Sequence, residues 1–217
     1  SDYSPQLSAD LDTNSQNIII DTAHGINDEN SKEQVKFVTT SSAVNEFTIT
    51  NAATGNAPAL SVTGDDTNID MNLTPKGYGR VTFNGMGKIL STAEKITISA
   101  TAATGTINYD VITQSVLYYT TASSGNFTVN LRGDGSNSMN NIMDTGESVT
   151  VAFLVTNTGT PYYNSAVQVD GSGVTPEWQG GAAPSAGNAN SVDSYSYTIV
   201  KTGDTAFTVF ASQVQFA

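Results

Sequence analysis

Apolar and polar residues alternate with a period of two along much of this chain. Phe47 and Ile49 alternate with Thr48 and Thr50, and Ile69, Met71 and Leu73 with Asp70, Asn72 and Thr74. Further on, Phe127, Val129 and Leu131 alternate with Thr128, Asn130 and Arg132, and Tyr195, Tyr197 and Ile199 with Ser194, Ser196 and Thr198. Successive side chains of a strand point to opposite faces, so each segment predicts a strand with one face in a core and one in water. Val81 with Phe83, and Ile96 with Ile98, repeat the pattern over shorter spans. Thr on the wet face suits a pleated surface because its branched Cβ fits it. Between these segments stand Gly55, Gly64-Asp65-Asp66, Pro75-Lys76-Gly77, Asn84-Gly85, Gly133-Asp134-Gly135 and Asp170-Gly171. Gly supplies positive φ, and Asn or Asp bonds its own backbone, so these are turns. One short helix is predicted over 137–143, capped by Ser136, with Met139, Ile142 and Met143 on one face.

The two halves differ. Residues 1–88 carry short apolar runs and few aromatics, whereas 89–217 carry longer runs, including 148–156 and 195–201, and the single Trp. The expected boundary is near Gly85-Met86-Gly87. The fold expected is all-β: a short-stranded, intertwined β arm over 1–88, serving attachment and trimerisation, then a jelly-roll-like β-sandwich over 89–217. A unit of about 90 residues with so sparse an apolar set struggles to bury a core alone. Partner copies complete such a core and cover its strand edges, which predicts a homotrimer.

Composition narrows the function classes. Charged residues make up 13% of the 217, against roughly a quarter in an average domain. Small uncharged residues (Thr, Ser, Asn, Gly) dominate, which excludes a coiled coil and disfavours a helical enzyme. Twenty acidic against 8 basic residues give a formal charge of −12, so nucleic acid is not an expected partner. The longest apolar run, 151–155, falls far short of the roughly 20 residues of a spanning helix, and no membrane insertion is expected. With no Cys, thiolate metal sites and disulfides are excluded.

Candidate chemistry is thin. His24 is the single histidine, lies in Ala23-His24-Gly25, and has no G-x-S-x-G segment to serve. Asp65, Asp66 and Asp70, and Asp134 with Asp144, are the densest acids. Paired carboxylates hydrolyse glycosides and clustered ones bind Ca²⁺, but the spacing is not that of an EF-hand loop, and turn formers on a wet surface explain them. Arg132-Gly133-Asp134 spells an adhesion tripeptide where a strand ends and a turn begins. No phosphate loop is present. No cofactor, no metal and no catalytic turnover are therefore expected. Tyr118-Tyr119, Tyr162-Tyr163 and Trp178 are rings that either stack on sugars or pack in a core or subunit interface. Trp178, flanked by Pro176, Gly180 and Gly181, is the one placed in loop-like surroundings.

Two groups of segments carry a resemblance. One comprises 5–14 (PQLSADLDTN), 51–58 (NAATGNAP) and 70–81 (DMNLTPKGYGRV); the other comprises 153–156 (FLVT), 161–165 (PYYNS) and 178–181 (WQGG). Together they resemble structural proteins of tailed bacteriophages, especially tail fibres and related virion proteins of marine cyanophages. The resemblance implies a β-rich, usually trimeric virion component that meets other virion proteins. The reading is a non-enzymatic fibre protein, with a capsid decoration (cement) protein and a polysaccharide-binding or depolymerising spike as alternatives. Depolymerases normally carry a long β-helix with groove carboxylates, for which this chain is short. In a fibre the arm anchors and the far end meets the host, so a host-surface glycan contact is expected at Trp178, with Tyr162 and Tyr163 nearby.

Overall fold

The computed structural model describes residues 13–216; of the segments that carry the resemblance, 5–12 lies outside them. Strands predominate, arranged in several sheets. Among the described residues no helix is long and apolar enough to cross a membrane. The chain divides into two compact units, Ser1–Thr74 and Pro75–Ala217. The glycine-flanked Met86, expected near the boundary, falls within the second unit.

The first unit holds two antiparallel hairpins. Strands β1 (His24–Asn27) and β2 (Glu33–Phe37) form one, and β3 (Asn45–Thr50) and β4 (Ala59–Gly64) the other. The Asp28 carboxylate closes the first turn by accepting from the Asn30 and Lys32 amides at 2.9 and 2.8 Å. In the second hairpin, alternation sorts the faces as the sequence predicts. Phe47 stands opposite Val62 and Ile49 opposite Leu60. On the other face, Thr63 Oγ1 donates to Glu46 at 2.7 Å and meets Thr48 Oγ1 at 2.6 Å. The apolar face is uncovered within the chain: Phe47 is 57% exposed and Ile49 84%. No described residue before Ala103 is buried.

Two predicted strands are absent. Residues 65–95 contain no strand, so 69–74 and 81–83 do not form ladders despite their alternation. A strand needs a neighbour to take its backbone groups, and none is offered to these segments among the described residues. Pro75, which lacks an amide hydrogen, and the glycines at 77, 79, 85 and 87 further disfavour pairing.

The second unit is built on two sheets. In chain order its elements are β5 (Ile96–Ala102), β6 (Gly105–Asp110), β7 (Val116–Thr121), β8 (Phe127–Arg132), helix α1 (Met139–Ile142), β9 (Ser148–Thr156), β10 (Asn164–Val169), β11 (Ser172–Val174), β12 (Glu177–Trp178), β13 (Val192–Gly203) and β14 (Ala206–Phe216). One sheet has the order β11-β10-β8-β6, and the other β12-β14-β13-β9-β7-β5. From β5 to β10 the chain passes from one sheet to the other at every strand. Each strand therefore pairs in parallel with the one two places before it: β7 with β5, β8 with β6, β9 with β7, β10 with β8. The crossover that parallel pairing requires is itself a strand of the opposite sheet. This coil corrects the jelly-roll connectivity expected from the sequence, in which neighbours run antiparallel. Antiparallel pairing returns only with β13, which lies between β9 and β14, and with β11 beside β10.

Inward-facing residues of both sheets form one core. It includes Tyr109, Phe127, Val129, Leu131 and Val167 from the smaller sheet and Phe153, Val155, Tyr195, Tyr197 and Ile199 from the larger. Phe127 meets Phe153 and Tyr195 edge-on, with centroids 5.6 and 5.8 Å apart, so ring contacts link the sheets. Helix α1 closes one end with Met139 fully buried. It is shorter than expected and its cap is Ser138 rather than Ser136: Ser138 Oγ accepts from the Asn141 amide at 3.1 Å. The reason is Asp134, whose Oδ1 accepts from the Ser136 and Asn137 amides at 2.7 and 2.8 Å and holds both in a turn before the helix.

Candidate functional site

Strands β11 and β12 are edge strands of the two sheets, joined through Thr175 and Pro176. Pro176 cannot donate to a ladder, which keeps both strands short. Beside this crossing lies a cleft of about 500 Å³, lined among others by Asn164, Ser165, Val174, Pro176, Glu177 and Trp178. Trp178 pairs with Ala211 of β14, is half-buried, and packs on the core with part of its surface. The chain turns away directly after it through Gly180 and Gly181, at φ of 82° and 80°, a backbone region that a Cβ disfavours. The other flank of Trp178 borders a shallower depression of about 360 Å³ with Ser196, Thr198 and Phe210. The cleft thus offers a flat aromatic ring beside one carboxylate and small polar groups. That set can stack on a planar or ring-shaped apolar surface and hydrogen-bond its edge.

Tyr162 and Tyr163 do not line this cleft. They precede β10 in a loop rather than on a strand, with amides donating to Asn157 Oδ1 and Asn126 Oδ1, each at 3.2 Å. The structure brings Trp178 together with Asn164, Ser165 and Glu177 instead.

The remaining candidates are engaged locally. His24 is exposed and its Nδ1 donates to the Thr22 carbonyl at 3.1 Å. Asp66 accepts from Asn45 Nδ2 at 2.7 Å. In the adhesion tripeptide, Arg132 Nε donates to Asp110 at 2.6 Å, and Asp134 holds the turn described above. Those backbone donors place the Asp134 carboxyl below its usual range. Arg80 forks between Glu147 and Asp144, the latter at 2.8 Å, and the Asp144 amide with Arg80 holds the Glu147 carboxyl low. Among the described residues no three His, Cys, Asp or Glu side chains stand close enough to share a metal ion.

A buried polar network escaped sequence reasoning. Asp193 is fully buried on β13, and its carboxylate accepts from the Asn188 amide, from Asn157 Nδ2 at 3.1 Å and from Gln213 Nε2 at 3.2 Å. Gln213 Nε2 also donates to the Tyr195 hydroxyl at 3.1 Å, and Ser123 Oγ bonds Asn157 Oδ1. Burial raises the Asp193 carboxyl above its ordinary value, and the donors only partly oppose it. Burial likewise pushes the Tyr195 and Tyr197 hydroxyls up. The signal was available: alternation with Tyr195, Tyr197 and Ile199 already placed Asp193 on the inward face. Gly187 lies against this network, where a Cβ would come within 2.3 Å of the Tyr162 carbonyl oxygen and 2.8 Å of the Asp193 carboxylate.

Comparison with protein-family models, with curated proteins and with solved structures finds no match to this chain.

Proposed function

We propose that this protein is a non-enzymatic structural component of a bacteriophage virion, a fibre protein assembled as a homotrimer. In this reading the N-terminal part is an intertwined arm, and the two sheets of the second unit form a sandwich that carries the outward contact. The observation that carries the reading is the uncovered apolar set upstream of the core. Ile19 is 89% exposed, Ile49 84%, Phe83 68% and Leu90 98%, while no described residue before Ala103 is buried. Hairpins with one apolar face are marginal in water on their own, and partner copies supply the missing layer. The phage-like segments quoted above favour the virion as the place of that assembly.

Sedimentation at micromolar concentration tests the assembly. A species of three times the 22.6 kDa chain mass is expected, and a folded monomer overturns the reading. The contact face proposed is the Trp178 cleft, with a host-surface glycan as ligand. Trp178→Ala should abolish cell binding with the oligomer and melting temperature unchanged; dissociation or a large drop in melting temperature makes the ring structural. The absence of turnover is tested by incubating the protein with host capsule or lipopolysaccharide. Sustained release of reducing ends, lost on changing Asp65, Asp66 or Asp134, contradicts it.

A further inference from the structure

Asn84 is the one asparagine of this chain that a glycine follows. Asn84 and Gly85 lie in the strandless stretch before β5, where the backbone bends at both, and both are exposed. Neither makes a hydrogen bond among the described residues. A Cβ added at Gly85 would meet nothing within 4 Å, so the backbone there stands in open space. Met86, the next residue, is fully exposed. Several other asparagines also precede a small residue, but they are held. Asn137, before Ser138, donates through Nδ2 to both Asp134 carboxylate oxygens at 3.0 and 3.1 Å. Asn164, before Ser165, is buried, and its Nδ2 donates to the Phe127 and Ala166 carbonyls at 3.1 and 2.7 Å. After Asn30, the Ser31 amide donates to the Asp28 carbonyl at 3.0 Å.

We infer that Asn84-Gly85 is a modification site, at which Asn84 deamidates spontaneously with water as the co-reactant. The reaction requires the amide nitrogen of the following residue to reach the asparagine side-chain carbon. Gly85 has no Cβ to hinder that approach, and its backbone rotates more freely than that of any other residue type. Hydrogen bonds that fix either group withhold it from the reaction, as at Asn137, Asn164 and Ser31; no such bond holds Asn84 or Gly85. The Gly85 nitrogen, its proton taken by base, attacks Asn84 Cγ. The new N–C bond closes a five-membered succinimide, a ring closure favoured because both groups sit on adjacent residues. The side-chain nitrogen takes up a proton and leaves as ammonia. Water then opens the ring at one of its two carbonyls. Breaking the bond from Gly85 nitrogen to Cγ gives aspartate; breaking the bond to the Asn84 backbone carbonyl gives isoaspartate, linked through Cγ. Either product adds one negative charge to the formal −12, and isoaspartate lengthens the backbone by one methylene. No residue of the buried core lies in this stretch, so the sandwich keeps its packing.

The full-length protein is incubated at physiological temperature and sampled over time for peptide mapping by mass spectrometry. A gain of about one dalton in the peptide that holds Asn84 is expected, growing with time, faster at higher pH, and resolved into aspartyl and isoaspartyl forms. The peptides holding Asn137 and Asn164 should stay unmodified. Gly85→Ala should slow the gain by roughly tenfold, a barrier difference of about 1.4 kcal/mol. Asn84→Gln, whose ring would need six members, should slow it further. Both variants should melt as the wild type does, since the replaced residues touch nothing. An Asn84 that stays intact in the folded protein, while the same chain in urea deamidates there, overturns the inference: the folded protein then holds the segment. Conversion of Asn137 or Asn164 as fast as Asn84 overturns it too, because the structure is then not selecting the site. Sedimentation of the same samples keeps either result separate from the assembly proposed above.

Discussion

Tyr197 and Asp193 are four residues apart on one strand, both inward, and burial acts on them differently. The Tyr197 hydroxyl is buried without a hydrogen-bond partner among the described residues. A buried polar group left unpaired costs about 1–3 kcal/mol. Tyr197→Phe keeps the ring stack with Tyr195 and removes the hydroxyl, so it should be neutral or stabilise by about 1 kcal/mol in thermal melts. Asp193 is paired but uncompensated by a cation, and its carboxyl is raised above the ordinary 3.8. The folded protein therefore holds this proton more tightly than the unfolded chain does. The resulting stability is fully present below pH 3.8 and is lost as pH rises through the folded value. Asp193→Asn cannot lose it. The melting temperature of that variant relative to wild type should therefore climb as pH rises from about 4 towards neutrality. A difference that stays flat, or falls, contradicts the raised carboxyl. Gly187→Ala belongs to the same network. A Cβ there meets backbone and a buried carboxylate, neither of which can swing away, and a clear drop in melting temperature is expected.

At the scale of elements, α1 spans four residues and cannot hold itself together. Its own cap residue and two side chains from elsewhere hold its ends. The Asp170 carboxylate, at the turn between β10 and β11, accepts from the Met139 and Asn140 amides at 2.7 and 3.1 Å. Ser138 caps the Asn141 amide, and the buried Lys201 Nζ of β13 donates to the Asn140 and Met143 carbonyls at 2.7 and 2.8 Å. Lys201→Met keeps most of the buried stem and deletes both bonds. It should cost about 3 kcal/mol in urea titrations, since bonds to charged donors contribute about 1.5–3 kcal/mol each. Loss of less than about 0.5 kcal/mol, the range of ordinary surface changes, would mean that α1 is held by Met139 packing alone. Phe153 does the equivalent work between the sheets. It contacts Phe127 and Tyr119 edge-on, and Phe153→Ala should cost about 3–5 kcal/mol.

For the whole molecule, self-repulsion and apolar contact oppose one another. With a pI near 4.1 and −12 charges per chain, added salt should favour the assembled state by screening. Comparing sedimentation in low salt with that in about 0.5 M salt checks this: the oligomer fraction should rise or hold. Dissociation on adding salt would instead indicate an interface of opposite charges.

The alternation of side chains was enough to determine which residues face inward on β8, β9 and β13, because facing depends only on strand pleat and is set within a few residues; on β3 it sorted the faces, but the apolar one, with Phe47 and Ile49, stays exposed. The same logic identified the Asp170-Gly171 turn, whose residues adopt φ of 51° and 81°. It failed where a strand needs a partner that the described residues do not offer, at 69–74 and 81–83. It also could not reveal the coil. Parallel neighbours in the larger sheet are 20 residues apart at Ile96 and Val116, but 36 apart at Val116 and Ala152, because α1 and its turns are inserted between them. No constant repeat is left for a sequence to display. Pairing partners, the carboxylate buried among donors, and the ring of Trp178 beside Asn164 rather than the tyrosines all depend on which distant segments the core brings together. Only packing of the complete second unit decides that.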